Sequence, residues 1–406
     1  MSEERDRTEQ PQAEHASAQP LRLGVYVHVP FCAHVCTYCD FVKEPLRPAL
    51  AGRYVALLPQ EARLTARRHD LEPSSARHDE RRVDSLYLGG GTPSVLSAAQ
   101  LAELIAGVRA AIPLSPAAEV TIEANPESLD DERLAALAAA GVNRLSLGVQ
   151  AEQPHLLRRL GRRHRPDDVR RVVAAARRHG ISNVNLDLMY GLPGQTMSDW
   201  RESLAAAMAL QPEHLSLYSL QVEVGTAFAR LAARGRLELP DEDEQAAMYE
   251  LACDELAVGG WRHYEISNWA RPGRESRHHL LYWENQEWLG LGPGAASRFA
   301  GRHWTNTPLL AEWAAAAAAG AEPPRSEDVL LDQRTLASDT VILGLRLLDG
   351  VSLRDFARRF ERPLQEWFPG AVESVIEDGL AVVEGDRLHL SSRGLLLGNR
   401  AFAAFV

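Results

Sequence analysis

The sequence predicts an α/β protein built on a partial (β/α)6 TIM-like barrel, followed by an α+β extension and a C-terminal winged-helix-like domain. Two observations carry the barrel. From residue 21 to about 220, short apolar or β-branched runs alternate with longer segments of helical period, the pattern of a parallel sheet with helices between its strands. The polar residues of this half that are poorly explained by folding alone fall at the carboxyl ends of those runs or in the loops after them, the face on which barrel sites form.

Taken in order, strands are expected at 23–29, 83–88, 119–124, 144–149, 184–188 and 214–220. Helices are expected at 47–68, 97–111, 129–140, 167–179 and 197–210, several opened by Ser, Asp or Pro in capping positions. Gly141 and Gly180 stand where helix C-caps belong. Residues 221–302 are less regular and rich in Trp, Tyr and His, and their pattern assigns them no function. An alanine run at 314–319, followed by Gly-Ala-Glu-Pro-Pro at 320–324, reads as a helix ending in a linker. Helices at 336–347, 352–360 and 371–378 and a hairpin over 380–390, with Gly385 and Asp386 at its turn, then follow in the order of a winged helix. The expected division is a disordered polar tail at 1–20, a barrel at 21–225, an extension at 226–320 and a terminal domain at 326–406.

Charge narrows the partners. The chain has 44 basic and 55 acidic side chains and a net charge of −11, which disfavours nucleic acid. Between residues 326 and 406 there are 13 acidic side chains against 9 arginines, so the terminal domain reads as a packing or substrate-covering module and not as a DNA reader. No segment approaches the roughly 20 apolar residues that span a bilayer, and the first twenty residues lack a signal peptide's apolar core. A cytoplasmic location is expected, and clustered free cysteines agree with it. Lys43 is the only lysine, which removes a phosphate-binding GxxxxGK[ST] loop and leaves no plausible Schiff-base chemistry.

Three of the four cysteines, Cys32, Cys36 and Cys39, form a C-x3-C-x2-C run. Three thiolates on one loop can bind three irons of a [4Fe-4S] cube and leave the fourth iron open to an outside ligand. A Cys3His zinc site using His28 or His34 is the competing reading. Cys253 lies apart in a helical-looking stretch and reads as an inert buried thiol.

Gly89-Gly90-Gly91-Thr92-Pro93 follows the second strand, where glycines let a ligand approach the backbone, although many such loops are simply tight turns. Glu123, Gln150 and Asp187 end the third, fourth and fifth strands. Around a barrel mouth they could bind an amino group, a ribose and an adenine edge, or they could brace the barrel. Arg162 lies in a run of nine arginines from 158 to 178 that otherwise reads as a solvated helical face; one arginine at the mouth could pair with a ligand carboxylate.

Together, the cysteine loop, GGGTP, IEANP, LGVQ, the LGR ending at Arg162 and NLDLMYGLP resemble the radical S-adenosylmethionine (SAM) enzymes, and within them the oxygen-independent coproporphyrinogen III dehydrogenase family, over nearly the whole chain. The resemblance implies that Cys32, Cys36 and Cys39 ligate a [4Fe-4S] cluster while SAM chelates the fourth iron through its amino and carboxylate groups. It also implies that Tyr26, Gly91, Thr92, Glu123, Gln150, Arg162 and Asp187 line the SAM pocket.

The dehydrogenase branch has a fourth cysteine two positions after the third, and a longer N-terminal region; here Phe41 takes the cysteine's place. Those departures favour the HemW-like haem-chaperone branch, whose loop reads CDF as at Cys39-Asp40-Phe41. That branch carries an HNxxY motif associated with haem, and this chain reads His278-His279-Leu-Leu-Tyr282. His278 and Tyr282, four apart, would share a helical face; His278, His279 and Tyr282 are the candidate haem contacts, or else pack as a barrel-capping layer. Ala296 stands where the family often shows His. The resemblance thus implies a haem chaperone with a [4Fe-4S] cluster, SAM and haem, delivering haem to respiratory haemoproteins and served by an electron donor. A homodimer and peripheral membrane association are compatible with it. The alternative is a radical SAM oxidoreductase acting on coproporphyrinogen III.

Overall fold

The computed structural model describes residues 21–73 and 81–406, so the expected tail at 1–20 lies outside it. Six strands run parallel in chain order: β1 Leu21–Val29, β2 Arg81–Gly90, β3 Leu114–Ala124, β4 Arg144–Gln150, β5 Asn183–Tyr190 and β6 His214–Ser219. Helices Pro48–Arg68, Ala98–Ala111, Asp131–Ala139, Pro166–Arg178 and Met197–Ala209 separate them. Local chemistry sets their ends: Ser97 with Gln100 and Thr196 with Asp199 form reciprocal caps, and Gly141 and Gly180 take left-handed φ values of +88° and +89°. A short helix, Pro154–Leu160, was not expected from the sequence. It ends at Gly161, and the turn swings Arg162 back toward the barrel mouth.

Because side chains alternate along a strand, each strand shows one face to the helices and one to the interior. Leu145, Leu147, Leu186, Leu188, Leu215 and Leu217 pack outward and are almost fully buried. The inner face is polar. Register places Thr121, Arg144 and Asn183 in one layer, Glu123, Ser146, Asn185 and His214 in the next, and Gly148, Asp187 and Ser216 above them. Closed barrels usually fill these layers with branched aliphatic residues.

Residues 221–302, irregular in sequence, supply much of what flanks the barrel strands. Asn268–Ala270 pairs antiparallel with β6, and Arg262–Glu265 lies beyond it. Glu287–Leu291 joins β1 in parallel and is followed outward by Ala296–Phe299, Arg302–Asn306 and Arg325–Leu330, all antiparallel. The twelve strands form one open sheet. Arg325–Leu330 is therefore the sheet's edge strand, and the terminal unit's own core begins at Ala337. Glu61, from the first helix, fastens this flank to the barrel by accepting hydrogen bonds from Trp313 Nε1 (2.8 Å), Gly292 N (2.8 Å) and Asn306 Nδ2 (2.9 Å).

The terminal unit packs helices Gln333–Gly344, Leu353–Phe360 and Ala371–Glu377 against a three-stranded sheet containing the hairpin Ala381–Glu384 and Arg387–Leu390. It docks on the extension through Asn285 Nδ2 to Thr340 Oγ1 (2.8 Å), Arg298 to Asp339 (2.7 Å) and Ile266 N to the Arg346 carbonyl (3.1 Å). Among the described residues, no helix is long and apolar enough to cross a membrane.

Candidate functional site

The cysteine loop leaves β1 at the barrel mouth and is tied down at several points. Phe31–Cys32 pairs with Glu44–Pro45, closing the loop on itself. Thr37 N donates to the Leu160 carbonyl and Thr37 Oγ1 to that of Arg159, and Thr92 Oγ1 lies 3.5 Å from Cys32 Sγ. Lys43, which the sequence brought in only to exclude chemistry, donates from Nζ to the carbonyls of Cys39 (2.8 Å) and Phe41 (3.0 Å). The sole lysine braces the segment that carries the third cysteine.

A cavity of about 390 Å³ opens beside this loop. Cys32, Cys36 and Cys39 line it together with Gly91, Thr92, Glu123, Gln150, Arg162 and Asp187, six of the seven residues expected around SAM. Tyr26, the seventh, faces a neighbouring cavity. The motifs come together because each ends or follows a barrel strand. In the glycine loop, a Cβ on Gly91 would fall 2.8 Å from the Phe31 carbonyl, so the loop can lie against the cysteine segment only without a side chain there. At Gln150, β4 bulges and φ reaches +69°, a strained value for a non-glycine residue at the cavity wall. Gly148 makes room for Arg162, whose Nη1 donates to Asn125 Oδ1 (2.6 Å) and Nη2 to the Gly148 carbonyl (3.3 Å). A Cβ on Gly148 would sit 2.4 Å from Arg162 Nη2. Gly148→Ala is expected to displace the guanidinium and to weaken, about tenfold or more by equilibrium dialysis, the binding of the SAM that the resemblance implies for this cavity.

Electrostatics are dominated by burial. It raises the Cys32 and Cys36 thiols, while Thr92 opposes it at Cys32 and Arg162 at Cys36. It also pushes the Glu123 carboxyl up to about 7, against hydrogen bonds from Tyr87 OH (2.8 Å) and Gly90 N (3.1 Å). Asp187 is raised for the same reason, against donors Asn185 and Ser146. Arg162 stays protonated despite its burial because Tyr38, Cys36, Glu127 and Asp187 surround it.

Among the described residues, no three Cys, His or carboxylate groups converge on a geometry for a single metal ion. Three thiols spread around a cavity wall instead suit the corners of a cube, where each holds a different iron. His28, the candidate zinc ligand, has both ring nitrogens engaged, with Tyr26 OH (3.0 Å) and the Val42 carbonyl (2.7 Å). His34 is turned toward Glu127, 3.4 Å away. Cys253 lies on the outer helix Glu242–Val258, where burial pushes its thiol up to about 11.

A second cavity, about 590 Å³, adjoins the first and shares Phe41, Gly90 and Glu123 with it. Its walls are largely aromatic: Tyr26, His28, Tyr282, Trp283 and Trp288, with Gly294 and Ala296 leaving space. The helix Arg277–Trp283 separates the two adjacent histidines. His278 is buried and lines neither cavity, because its Nδ1 meets Ser85 Oγ and its Nε2 meets Tyr282 OH, each at 2.8 Å. His279 enters the first cavity beside Tyr87, and burial lowers its imidazole to about 3. Tyr282 faces the second cavity and meets Trp288 edge-on. Sequence reasoning passed over Lys43 and Asn125. Asn125 stood inside the IEANP motif, and that position was the available signal.

The chain matches the radical SAM superfamily over residues 26–207 and the HemN C-terminal domain over 331–397. It is 37% identical to the heme chaperone HemW of Bacillus subtilis (strain 168) over 384 residues, covering 94% of this chain and 99% of that one. It is 41% identical to heme chaperone HemW of Mycobacterium tuberculosis (strain CDC 1551 / Oshkosh), covering 93% of each. The solved structure of coproporphyrinogen III oxidase (HemN) from Escherichia coli superposes with a TM-score of 0.80 at 24% identity, covering 96% of this chain and 91% of that one, a likeness of fold.

Proposed function

This chain belongs to the HemW heme-chaperone branch of the radical SAM superfamily, and from that premise we propose that it holds a [4Fe-4S] cluster and SAM in the first cavity, binds haem in the second, and delivers that haem to respiratory haemoproteins. The observation that carries this reading is the pair of adjoining cavities, one walled by three thiols and SAM-suited polar groups, the other by aromatic rings, with Phe41 on their common wall. A fourth thiol would stand there in the dehydrogenase branch.

The chain's residues divide the work. Cys32, Cys36 and Cys39 would hold the cluster, which supplies an electron when reduced. Glu123 would accept a hydrogen bond from the SAM amino group, and Arg162 would pair with its carboxylate. Gly91, Thr92, Gln150 and Asp187 complete that wall. Trp283 and Trp288 would give a porphyrin ring an apolar aromatic wall, and Tyr282 offers an oxygen ligand for its iron. Tyr26 contributes to this second wall. His278 orients Tyr282, and His279 belongs to the cluster side.

Haem titration followed by Soret absorbance tests the division. Tyr282→Phe is expected to weaken haem binding tenfold or more and His278→Ala severalfold, while His279→Ala leaves it within about twofold. Loss of haem in His279→Ala with retention in Tyr282→Phe would reverse the assignment. Anaerobic reconstitution with SAM, reductant and coproporphyrinogen III tests the whole: conversion to protoporphyrinogen with release of deoxyadenosine would replace the chaperone reading with the oxidase.

A further inference from the structure

Arg144 opens β4 at the floor of the barrel interior and is completely buried. None of its three guanidinium nitrogens has a hydrogen-bond partner among the described residues. Its neighbours in register do not answer it: Thr121 Oγ1 and Asn183 Oδ1 are themselves unpaired. An isolated buried cation is strongly destabilising unless opposite charge lies close by.

On the same face of β3, buried Glu119 lies one layer below Thr121 and accepts from the backbone N–H groups of Arg277 and His278, and two further carboxylates lie in the layers above. Two residues beyond Thr121 on the inner face of β3 is Glu123, and four residues beyond Asn183 on β5 is Asp187, both on the wall of the first cavity. Both carboxylates receive hydrogen bonds from neutral groups: Tyr87 OH and Gly90 N at Glu123, Asn185 and Ser146 at Asp187. Arg162, at the mouth, spends its contacts on Asn125 and Gly148.

We propose that Arg144 is a positioning residue of the SAM site, the fixed counter-charge of the Glu123–Asp187 carboxylate pair, which keeps Glu123 ionised to accept a hydrogen bond from the amino group of SAM. The inference rests on the SAM reading of the first cavity. Other groups near Glu123 do not replace Arg144: Tyr87 from β2, Tyr26 from β1 and Tyr282 from the Arg277–Trp283 helix are phenols, and Asp187 adds negative charge. The field of Arg144 also reaches His278, His279 and His214, all kept neutral by burial, and the Tyr264 phenol. Arg162 also faces Asp187, from the mouth, while Arg144 faces both carboxylates from the barrel floor. Burial and the Asp187 carboxylate lift Glu123 to about 7 even with Arg144 in place, so removing the cation shifts it further toward the protonated form at neutral pH.

The test measures SAM affinity of the reconstituted protein from pH 6 to 9, with iron and sulfide assayed in every sample. In the wild type, affinity should rise with pH through about 7 as Glu123 loses its proton. Arg144→Met should move that rise up by about one pH unit or more, so that binding is about fivefold or more weaker at pH 7 and recovers toward pH 9. Arg144→Lys, which keeps the charge, should stay near the wild-type profile and covers the case in which the Met variant fails to fold. In Glu123→Gln, affinity should be weak and flat with pH, and adding Arg144→Met should change little further. Uniform weakening at every pH, an unshifted profile in Arg144→Met, or a displaced one in Arg144→Lys overturns the proposal. Infrared difference spectra of the Glu123 carboxyl, referenced to Glu123→Gln, read the same shift without SAM. A protein that binds no SAM but shows this shift defeats the SAM reading and leaves the counter-charge standing.

Discussion

Cys32→Ala is expected to abolish the iron–sulfur cluster, lowering iron and acid-labile sulfide from about four each per chain to background. Cys32 is the most deeply buried of the three thiols, 7% exposed, and stands at the hinge where Phe31–Cys32 pairs with Glu44–Pro45. Two thiolates cannot hold a cube in place, and Phe41 supplies no substitute ligand. SAM affinity should fall with the cluster, since the amino and carboxylate groups of SAM lose their iron. Haem uptake should persist, because none of the three cysteines lines the second cavity. The discriminating measurements are iron and sulfide analysis, SAM binding and Soret absorbance on the same preparation. A variant that lost cluster and haem together would show that the cavities do not act separately.

Glu61→Ala is expected to cost the most stability of any substitution outside the site. Its carboxylate receives three buried donors, Trp313 Nε1, Gly292 N and Asn306 Nδ2, from the flank that also forms the wall of the second cavity. Alanine strands all three. At about 1–3 kcal/mol per orphaned donor, the loss is at least about 3 kcal/mol, read as a lower denaturation midpoint. Glu61→Gln should be milder, because its amide oxygen can still accept from Trp313 and Gly292, although Asn306 gives up its bond to the Gly292 carbonyl when it turns its oxygen toward the new NH2. Burial raises the Glu61 carboxyl from 4.5 to about 7, so the folded protein binds this proton more tightly than the unfolded chain. The corresponding stability is complete below about pH 4.5 and is lost as pH rises through about 7. Glu61→Gln should flatten stability across that window. A slope unchanged from wild type would show that Glu61 is ionised throughout.

The cysteine loop, GGGTP and IEANP were legible because each is a local pattern whose chemistry depends on spacing along a few residues. Glu123 and Asp187 were legible as residues, but their sharing of one wall with Arg162 was not. Arg162 reaches that wall through the unexpected helix Pro154–Leu160, which hides in an arginine run resembling a solvated face. Tyr26 precedes the cysteine loop in the same strand, yet it opens toward the aromatic cavity. Residues 221–302 were opaque because their strands are short and pair with β1 and β6, partners far away in sequence. Arg144 and Glu61 gave no signal, since a buried charge is recognised only by what surrounds it.

By itself the sequence determined the barrel, its six parallel strands and the motifs that gather at its mouth, because apolar periodicity and motif spacing act over short stretches of chain. Only the tertiary structure decided the division of labour. His278 and His279 are neighbours in the chain, but a helix rotates consecutive side chains by about 100°, so one is locked between Ser85 and Tyr282 and the other enters the first cavity. Register did the same for charge, stacking Arg144 beneath two carboxylates contributed by separate strands.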